Sequence, residues 1–269
     1  MKYKIALAQT ETCSSIDANL KAAEKMITDA ASQGAALIVF PEAFLSSFEE
    51  DATLDEKLKA ARDIDGPEVS RIRGLAAANG IWVIFGMYEP AFDAEKVHYR
   101  NYNTTVIVDD SGEVRYVYHK THLYDAFNYL ESDFNAVGDS LFTPMDTPFG
   151  KIGLMVCYEL RFPEIARFLA LGGSDVIILP AAWADGKGKL DQLQILTRSR
   201  AIENTVFVAL CDMGASRVGH SMVVDPLGNV ITEAGAGQEL LLAEIDTDLI
   251  QTIRKTVPSL ANRREELYR

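Results

Sequence analysis

The sequence predicts an α/β fold in which two β-sheets pack face to face and helices cover their outer sides. Short apolar runs rich in Val and Ile alternate with longer helical patterns along the 269 residues. These runs are apolar at nearly every position, as expected for strands that are buried on both faces. GAALIVFPEA (34–43) and GSDVIILPAA (173–182) share a helix–Gly–strand–Pro layout, which reflects either duplication of a half-domain or the usual punctuation of α/β chains.

The first part of the chain alternates strands and helices up to residue 119. The capping region 14–17 and Gly34 bound the first helix, and Pro67 stands in the first turn of the second. The turn 110–112, Asp-Ser-Gly, joins the last two strands as a hairpin. The predicted elements are strand 4–9, helix 16–33, strand 36–40, helix 67–79, and strands 81–88, 104–109 and 114–119.

Residues 120–140 lack a clean period and are rich in polar and aromatic side chains, which is typical of an ordered functional loop. Strands and helices alternate again beyond this loop, and the tail 259–269 has no apolar pattern of its own. The elements predicted here are strand 151–156, helix 162–171, strand 175–180, helix 189–203, strands 206–210, 219–224, 229–233 and 239–245, and helix 247–256.

Composition excludes several classes of partner. The 26 basic and 39 acidic residues give a formal net charge of −13, which disfavours nucleic acid because a phosphate-binding face needs clustered Lys and Arg. The apolar stretch in the start, MKYKIALAQTETC, is too short for a signal peptide. No run of 18 apolar residues, as a membrane-spanning helix would need, occurs in the sequence. We therefore expect a cytoplasmic protein with a small-molecule partner and no membrane partner.

Cysteine and histidine usage gives little indication of a metal site. Cys13, Cys157 and Cys211 are odd in number and widely separated, which suits a reducing compartment and does not match a metal-ligand spacing. His119 and His122 form an H-x-x-H pair, but no second cluster completes a zinc site. We expect no metal.

The segment KIGLMVCYELRFPE (151–164) raises the question of what Cys157 does. Free cysteines are commonly buried core residues, and that is one interpretation. In the other, Cys157 stands at a strand-to-helix turn just before Pro163, where unpaired backbone N–H groups stabilise a thiolate and an oxyanion formed beside it. The position of Cys157 favours the second interpretation.

A thiol nucleophile needs a base, and no histidine occupies a matching strand end. Glu42 follows Pro41 after strand 36–40, and Lys120 follows strand 114–119. Residues just past the carboxyl ends of parallel strands converge on a ligand crevice, so we expect both to lie beside Cys157. Each residue also has an ordinary interpretation when it is considered alone. Glu42 could be a solvated acid at a helix N-terminus, and Lys120 could be a surface lysine.

With three such residues at three strand ends, the chain resembles the nitrilase superfamily, the carbon–nitrogen hydrolases with a Glu-Lys-Cys triad. The resemblance implies a four-layer αββα sandwich formed by one domain, 1–269. It spans nearly the whole chain through the segments IALAQ (5–9), LIVFPEAF (37–44), YHKTHLYD (118–125), GLMVCYELRFPE (153–164), ILPAAW (178–183) and GHSMVVDPLGNV (219–230).

The resemblance also implies a role for each site residue. Glu42 would be the general base and acid, Lys120 the oxyanion stabiliser or proton donor, and Cys157 the nucleophile. Glu131 aligns with a second glutamate near the lysine and substrate, and is otherwise a surface acid of the loop. The backbone N–H of Tyr158 would complete the oxyanion hole. We expect no cofactor, since acyl chemistry needs only nucleophile, base and oxyanion stabiliser.

The version CYELRFPE (157–164) resembles the branch that contains ω-amidases and deaminated-glutathione amidases, which implies a small amide substrate, possibly one bearing a carboxylate. The charges nearest to Cys157, Glu159 and Arg161, are not assigned to the triad. Arg161 either binds a substrate carboxylate or forms an ion pair with Glu164 or another acid. Three aromatic residues either line the pocket or belong to the ordinary core: Tyr124, Phe127 and Trp183.

Other functions and an assembly follow from the same resemblance. An N-carbamoyl amide hydrolase or a nitrilase would use the same fold, and a catalytically silent scaffold would lack a triad residue. Relatives dimerise through helices beside the active face, and the segment 255–269 resembles their C-terminal strap. We therefore expect a homodimer or a higher homo-oligomer.

Overall fold

The computed structural model describes residues 1–49 and 51–268, and its helices and strands have the following bounds. The helices are α1 (Ile16–Ser32), α2 (Leu54–Lys59), α3 (Pro67–Asn79), α4 (Pro163–Leu171), α5 (Lys189–Asn204) and α6 (Asp248–Thr256). The strands are β1 (Lys2–Gln9), β2 (Ala35–Val39), β3 (Trp82–Phe92), β4 (His98–Val108), β5 (Val114–His119), β6 (Asp125–Ala126), β7 (Tyr129–Leu130), β8 (Asn135–Ala136), β9 (Met145–Thr147), β10 (Gly150–Leu154), β11 (Val176–Ala181), β12 (Phe207–Asp212), β13 (Met222–Val224), β14 (Val230–Glu233) and β15 (Glu239–Asp246). None of these helices combines the length and the apolar character that crossing a membrane requires.

Two large mixed sheets share the same plan. The first has the order β15-β1-β2-β3-β4-β5 with β8 beside β4, and the second has the order β14-β13-β12-β11-β10-β9. In each sheet three adjacent strands run parallel, β1–β2–β3 in the first and β10–β11–β12 in the second, and antiparallel strands flank them. The carboxyl ends of the parallel strands are therefore the natural place for a site in both sheets.

Alternate residues of the first sheet face two different cores. Ile5 and Leu7 of β1 pack in the core that lies between the sheets, together with residues of β10, β11 and β12. Ala6 and Ala8 face the other way and pack against α1 and α3. On the far side, α4 and α5 contact the second sheet. This arrangement confirms the predicted four-layer αββα sandwich.

Several element boundaries differ from the prediction. Strands β3 and β4 form a hairpin that continues to the Phe92–His98 pair, well beyond the predicted strands 81–88 and 104–109. The outer half of this hairpin carries polar side chains that break the apolar pattern, so periodicity alone does not reveal it. The predicted strand 219–224 was also too long, because only Met222–Val224 pairs with its neighbours.

The loop 120–140 contains short elements that its composition did not indicate. Strands β6 and β7 form a small hairpin, a 3₁₀ turn covers Glu131–Asp133, and β8 pairs with β4. Helix α2 was also missed. It buries none of its residues and is held at its start by a capping box between Thr53 and Glu56, so it has no amphipathic signal.

Candidate active site

The two segments with the shared helix–Gly–strand–Pro layout meet at their carboxyl ends. Glu42, just after β2, donates its backbone N–H to the carbonyl oxygen of Ala181 at the end of β11 (3.4 Å). In return, Ala182 N donates to Glu42 Oε2 (3.1 Å). The ends of parallel strands from both sheets thus face each other across the molecule, as the strand-end argument requires.

Lys120 joins the two predicted glutamates. Its Nζ donates to Glu42 Oε1 and to Glu131 Oε2, both at 2.8 Å. All three side chains are buried, with Lys120 only 1% exposed, so the interpretation of Lys120 and Glu131 as surface residues is wrong. A buried ammonium between two carboxylates is compensated by charge on both sides, which offsets the cost of removing it from water.

Asn103 was missed by the sequence analysis and holds the same two carboxylates. Its Nδ2 donates to Glu42 Oε1 (2.8 Å) and to Glu131 Oε1 (2.9 Å). Asn135 Nδ2 also donates to Glu131 Oε1 (3.0 Å). Asparagine is depleted in strands, so Asn103 is unusual within β4, but the sequence does not indicate that it bridges two carboxylates.

Cys157 lies at the predicted strand-to-helix turn. Strand β10 ends at Leu154, two residues before the predicted end, and Cys157 begins a short 3₁₀ turn, Cys157–Arg161, that leads into α4. Its φ of 46° is in the left-handed region, a conformation that costs a non-glycine residue about 1–3 kcal/mol and is concentrated at functional sites. The thiol hydrogen-bonds the Glu42 carboxylate.

Burial and charge assign the protons in the resting site. Burial and the Glu42 carboxylate raise the pKa of Cys157 well above its usual value, although Lys120 opposes them. Burial also tends to raise the pKa of Glu42, but Lys120 and the hydrogen bonds from Lys120, Cys157 and Asn103 outweigh it, so the pKa lies below its usual value. The Lys120 pKa is raised well above its usual value by Glu131 and Glu42, which outweigh burial. These directions favour a neutral thiol, a carboxylate and an ammonium in the site.

Aromatic and basic side chains surround the reactive group. Tyr124 packs edge-on against Tyr158 at 5.1 Å between ring centroids. Lys189, which the sequence analysis did not predict, donates from Nζ to Tyr124 Oη (3.3 Å) and lies 3.5 Å from the ring centroid of Phe127. The indole of Trp183 is buried and donates from Nε1 to the carbonyl oxygen of Lys189 (3.1 Å). Phe127 is 67% exposed and is not a core residue.

Arg161 lies beside this group and does not pair with Glu164. Its Nη2 donates to Gln192 Oε1 (2.8 Å), and its guanidinium stacks on Trp183 with Cζ 4.7 Å from the ring centroid. Within residues 1–49 and 51–268, Arg161 forms no ion pair and its buried Nε has no hydrogen-bond acceptor. The ion-pair interpretation with Glu164 is therefore wrong.

The H-x-x-H histidines have separate partners. His119 Nε2 lies 2.8 Å from Glu89 Oε2, and His122 Nδ1 lies 2.9 Å from Thr121 Oγ1. In the part of the chain that the structure describes, no group of three or more His, Cys, Asp and Glu is arranged to hold a metal ion. Both histidines contribute to the polar network around the strand ends instead.

Comparison with known families decides the family of the chain. Residues 4–255 match the carbon-nitrogen hydrolase family. The chain belongs to this family. A carbon-nitrogen hydrolase acts on carbon–nitrogen bonds other than peptide bonds, and this membership agrees with the nitrilase-superfamily resemblance of the sequence.

Curated relatives of this carbon-nitrogen hydrolase include amidases. Deaminated glutathione amidase of Homo sapiens is 34% identical over 276 residues, which cover 98% of this chain and 83% of the relative. Omega-amidase NIT2 of Mus musculus is also 34% identical, over 99% of this chain and 96% of the relative. These are the two amidase types that the nucleophile segment resembles.

Solved structures share the fold over the whole chain. The crystal structure of the Caenorhabditis elegans NitFhit protein matches with a TM-score of 0.91 and 31% identity, covering all of this chain and 66% of that one. The chain spans 62% of the length of the curated NitFhit relative. A glutamate-to-glutamine mutant of an amidase from Nesterenkonia sp. AN1 matches with a TM-score of 0.80 and 25% identity over 99% of this chain and 95% of that one. In that mutant the active-site cysteine carries the acetamide moiety of fluoroacetamide.

Proposed function

We propose that this carbon-nitrogen hydrolase is a cysteine-dependent amidase that converts a small amide into an acid and ammonia through a thioester. The observation that carries the proposal is the contact set of Glu42, whose carboxylate is hydrogen-bonded to both the Lys120 ammonium and the Cys157 thiol inside a buried site. The proposed base thereby contacts both the proposed nucleophile and the proposed cation, as covalent catalysis of acyl transfer requires.

In the first half-reaction Cys157 attacks the amide carbon. Because the pKa of the thiol is raised and that of Glu42 is lowered, Glu42 takes the thiol proton as the S–C bond forms. The Lys120 ammonium and the Tyr158 backbone N–H stabilise the negative charge on the carbonyl oxygen. The C–N bond then breaks, and Glu42 gives its proton to the departing nitrogen, which leaves as ammonia.

In the second half-reaction water releases the acid. Glu42, again a carboxylate, takes a proton from a water molecule whose oxygen attacks the thioester carbon. Breakdown of this second tetrahedral intermediate expels the thiolate, which recovers the proton from Glu42. Glu131 remains bonded to Lys120 and Asn103 throughout, and so keeps the ammonium directed at the reacting oxygen.

We propose that the substrate carries a carboxylate remote from the amide. Arg161 and Lys189 place two cations beside Tyr124 and Cys157 in a chain whose formal net charge is −13. The free Nε donor of Arg161 offers a charge-assisted hydrogen bond to such a carboxylate. The similarity to an omega-amidase and to deaminated glutathione amidases supports this substrate class.

A panel of small substrates tests the reaction. We expect ammonia from the monoamide of a short dicarboxylic acid, much less from N-carbamoyl acids, and none from nitriles, because the curated relatives include an omega-amidase and deaminated glutathione amidases. Mass spectrometry of peptides from the quenched enzyme should show the acyl group on the peptide that contains Cys157. Turnover of a nitrile or a carbamoyl acid in preference to every amide would refute the amidase assignment.

An Arg161→Gln variant tests the carboxylate contact. Loss of one charge-assisted hydrogen bond, of about 1.5–3 kcal/mol, should raise the KM for the dicarboxylate monoamide roughly 10–100-fold. For the matched neutral amide, which has a methyl in place of the carboxylate, the kcat/KM of the variant should differ from that of the wild-type enzyme by less than about threefold. An equal loss for both substrates would show that Arg161 supports the pocket wall rather than the carboxylate.

We further propose a homodimer formed through α4 and α5. Their outer faces expose apolar side chains that a monomer would leave in water, Phe168 and Leu171 on α4 and Ile195 and Ile202 on α5. The C-terminal tail lies on the same face, since Arg263 and Tyr268 act electrostatically on Arg167 of α4. Of the proposed strap 255–269, residue 269 lies outside the described residues.

An Ile195→Glu variant tests this interface. A charge buried in the proposed contact should convert the dimer into a monomer at micromolar concentration, as measured by size-exclusion chromatography with light scattering. Phe92→Glu is the matched control, because Phe92 is similarly exposed, at 57% against 63%, but lies on the β3–β4 hairpin. A wild-type monomer, or dimers from both variants, would contradict the proposal.

A further inference from the structure

Besides Glu42 and Glu131, a third buried carboxylate lies close to Cys157 and takes no part in the proposed reaction. Glu159 is fully buried, two residues after Cys157. Among the described residues its carboxylate forms no ion pair, and all four of its side-chain hydrogen bonds come from neutral donors. An acid removed from water in this way is retained only when its lone pairs are well satisfied.

The donors come from both sides of the reaction centre. Glu159 Oε1 accepts from Thr121 N and Thr121 Oγ1, both at 2.8 Å, and from Tyr118 Oη at 2.7 Å. Glu159 Oε2 accepts from Val156 N at 2.7 Å. Thr121 directly follows Lys120, and Val156 directly precedes Cys157. One carboxylate therefore links the backbone that carries the cation to the backbone that carries the nucleophile.

The donor pattern explains why this residue must be an acid. Backbone N–H groups cannot reverse their direction, and here one points at each oxygen, Thr121 N at Oε1 and Val156 N at Oε2. A glutamine in the same place would direct its NH₂ against one of these two N–H groups in either orientation. Only a carboxylate accepts from both.

The same residue also supports the left-handed turn at Cys157. Glu159 N donates to Val156 O (2.9 Å), so that Glu159 and Val156 exchange a reciprocal pair of hydrogen bonds across Cys157. A left-handed φ of 46° at a cysteine persists only where surrounding contacts fix it. Burial and the negative charge of Glu159 raise the pKa of Tyr118 well above its usual value, so the Tyr118 hydroxyl remains a donor.

We propose that Glu159 is a positioning residue that fixes Lys120 relative to Cys157, a role that rests on the proposed amidase mechanism. It does not contact the reacting atoms. Its two oxygens set the separation of two catalytic segments that are far apart in the chain, so that the oxyanion formed by Cys157 attack lies against the Lys120 ammonium. A displacement of about 1 Å in such an arrangement can lower the rate about 10²-fold.

The kcat and KM of a Glu159→Gln variant, measured separately, test the proposal. With the monoamide substrate we expect kcat to fall about 10²-fold while KM changes less than about threefold, because the binding groups Arg161 and Lys189 are not touched. Asp109→Asn is the matched control. Asp109 is also a buried turn acid, but both of its backbone donors, Ser111 N and Glu113 N, point at the single oxygen Oδ1. In the described part of the chain, Oδ2 accepts only from the Arg115 guanidinium (3.2 Å), whose side chain is half exposed and can turn into solvent, so an amide can replace this acid.

The possible outcomes separate a positioning role from a structural one. A folded Glu159→Gln enzyme that has a lower melting temperature but wild-type kcat per active site would overturn the proposal. If Glu159→Gln does not fold, the Tyr118→Phe/Thr121→Val variant decides, because it removes two hydroxyl donors and keeps both backbone links. It should fold and lose about tenfold in kcat, and an unchanged kcat would overturn the proposal.

A Cys157→Ala enzyme assayed in parallel distinguishes failure of this inference from failure of the amidase proposal. If Cys157→Ala retains activity, the proposed mechanism itself is wrong. If Cys157→Ala is inactive while Glu159→Gln has wild-type kcat, only the positioning role is wrong.

Discussion

Cys157→Ala should lower amide turnover by about 10⁴-fold or more, because without the sulfur no thioester can form and the remaining site offers only charge stabilisation. The fold should persist, since the substitution removes one buried atom and leaves the Lys120 contacts with Glu42 and Glu131 in place. Steady-state ammonia release measures the activity, and thermal melting measures the fold.

Cys211→Ala is the matched control for this substitution. Cys211 is also a buried free thiol, and its Sγ hydrogen-bonds the backbone carbonyl of Val39 (3.1 Å) rather than a catalytic group. We expect this variant to keep its activity within about threefold while losing some stability through the small cavity. Ammonia release from Cys157→Ala comparable to that of Cys211→Ala would exclude Cys157 as the nucleophile.

Glu42→Gln should lower the rate of acylation by about 10³-fold, within the 10²–10⁴ range of general-base catalysis. The amide cannot take the thiol proton, and the raised pKa of Cys157 means that the thiol does not ionise unaided. Rapid-quench mass spectrometry of the Cys157 peptide reports acylation directly. A wild-type burst of acyl-enzyme in Glu42→Gln would remove Glu42 from the role of base.

The pH dependence of the wild-type enzyme follows from the same group. Glu42 must be ionised to act, and its pKa lies below the ordinary value of 4.5. As the pH falls, kcat/KM should therefore stay flat to about pH 5 and decline only below it. An acid limb centred near neutral pH, in an enzyme that remains folded by circular dichroism, would show that a different group supplies the base.

Much of the fold could be predicted from the sequence because strands that are buried on both faces appear as continuous apolar runs. The parallel strands β2 and β11 are apolar at nearly every position, and Gly34 and Pro41 mark the ends of neighbouring elements. The prediction fails where the sequence has no such apolar pattern. The outer part of β3 and β4 and the exposed helix α2 carry polar residues that do not repeat with a strand or helix period.

The proximity of the three proposed catalytic residues was also accessible to sequence reasoning, because Glu42, Lys120 and Cys157 each follow a strand and strand ends converge. The residues that support the triad were not accessible. Asn103 lies within a strand, where nothing local distinguishes an amide that bridges two carboxylates from one that faces water. Glu159 was set aside as a nearby charge, since its donors on Thr121 and Tyr118 lie about forty residues away along the chain.

By itself the sequence determined the layered α/β class and the family, and it selected Cys157, Glu42 and Lys120 as candidates for nucleophile, base and cation, because these depend on periodicity and on residue types at strand ends. Only the tertiary structure decided which buried polar groups satisfy one another. It placed Arg161 on Gln192 and Trp183 instead of Glu164, and Glu131 on Lys120. It also placed Glu159 between the segments that carry Lys120 and Cys157. The physical reason is that a buried charge is stabilised by whichever donors packing brings within about 3 Å, and packing is not recorded in any local stretch of sequence.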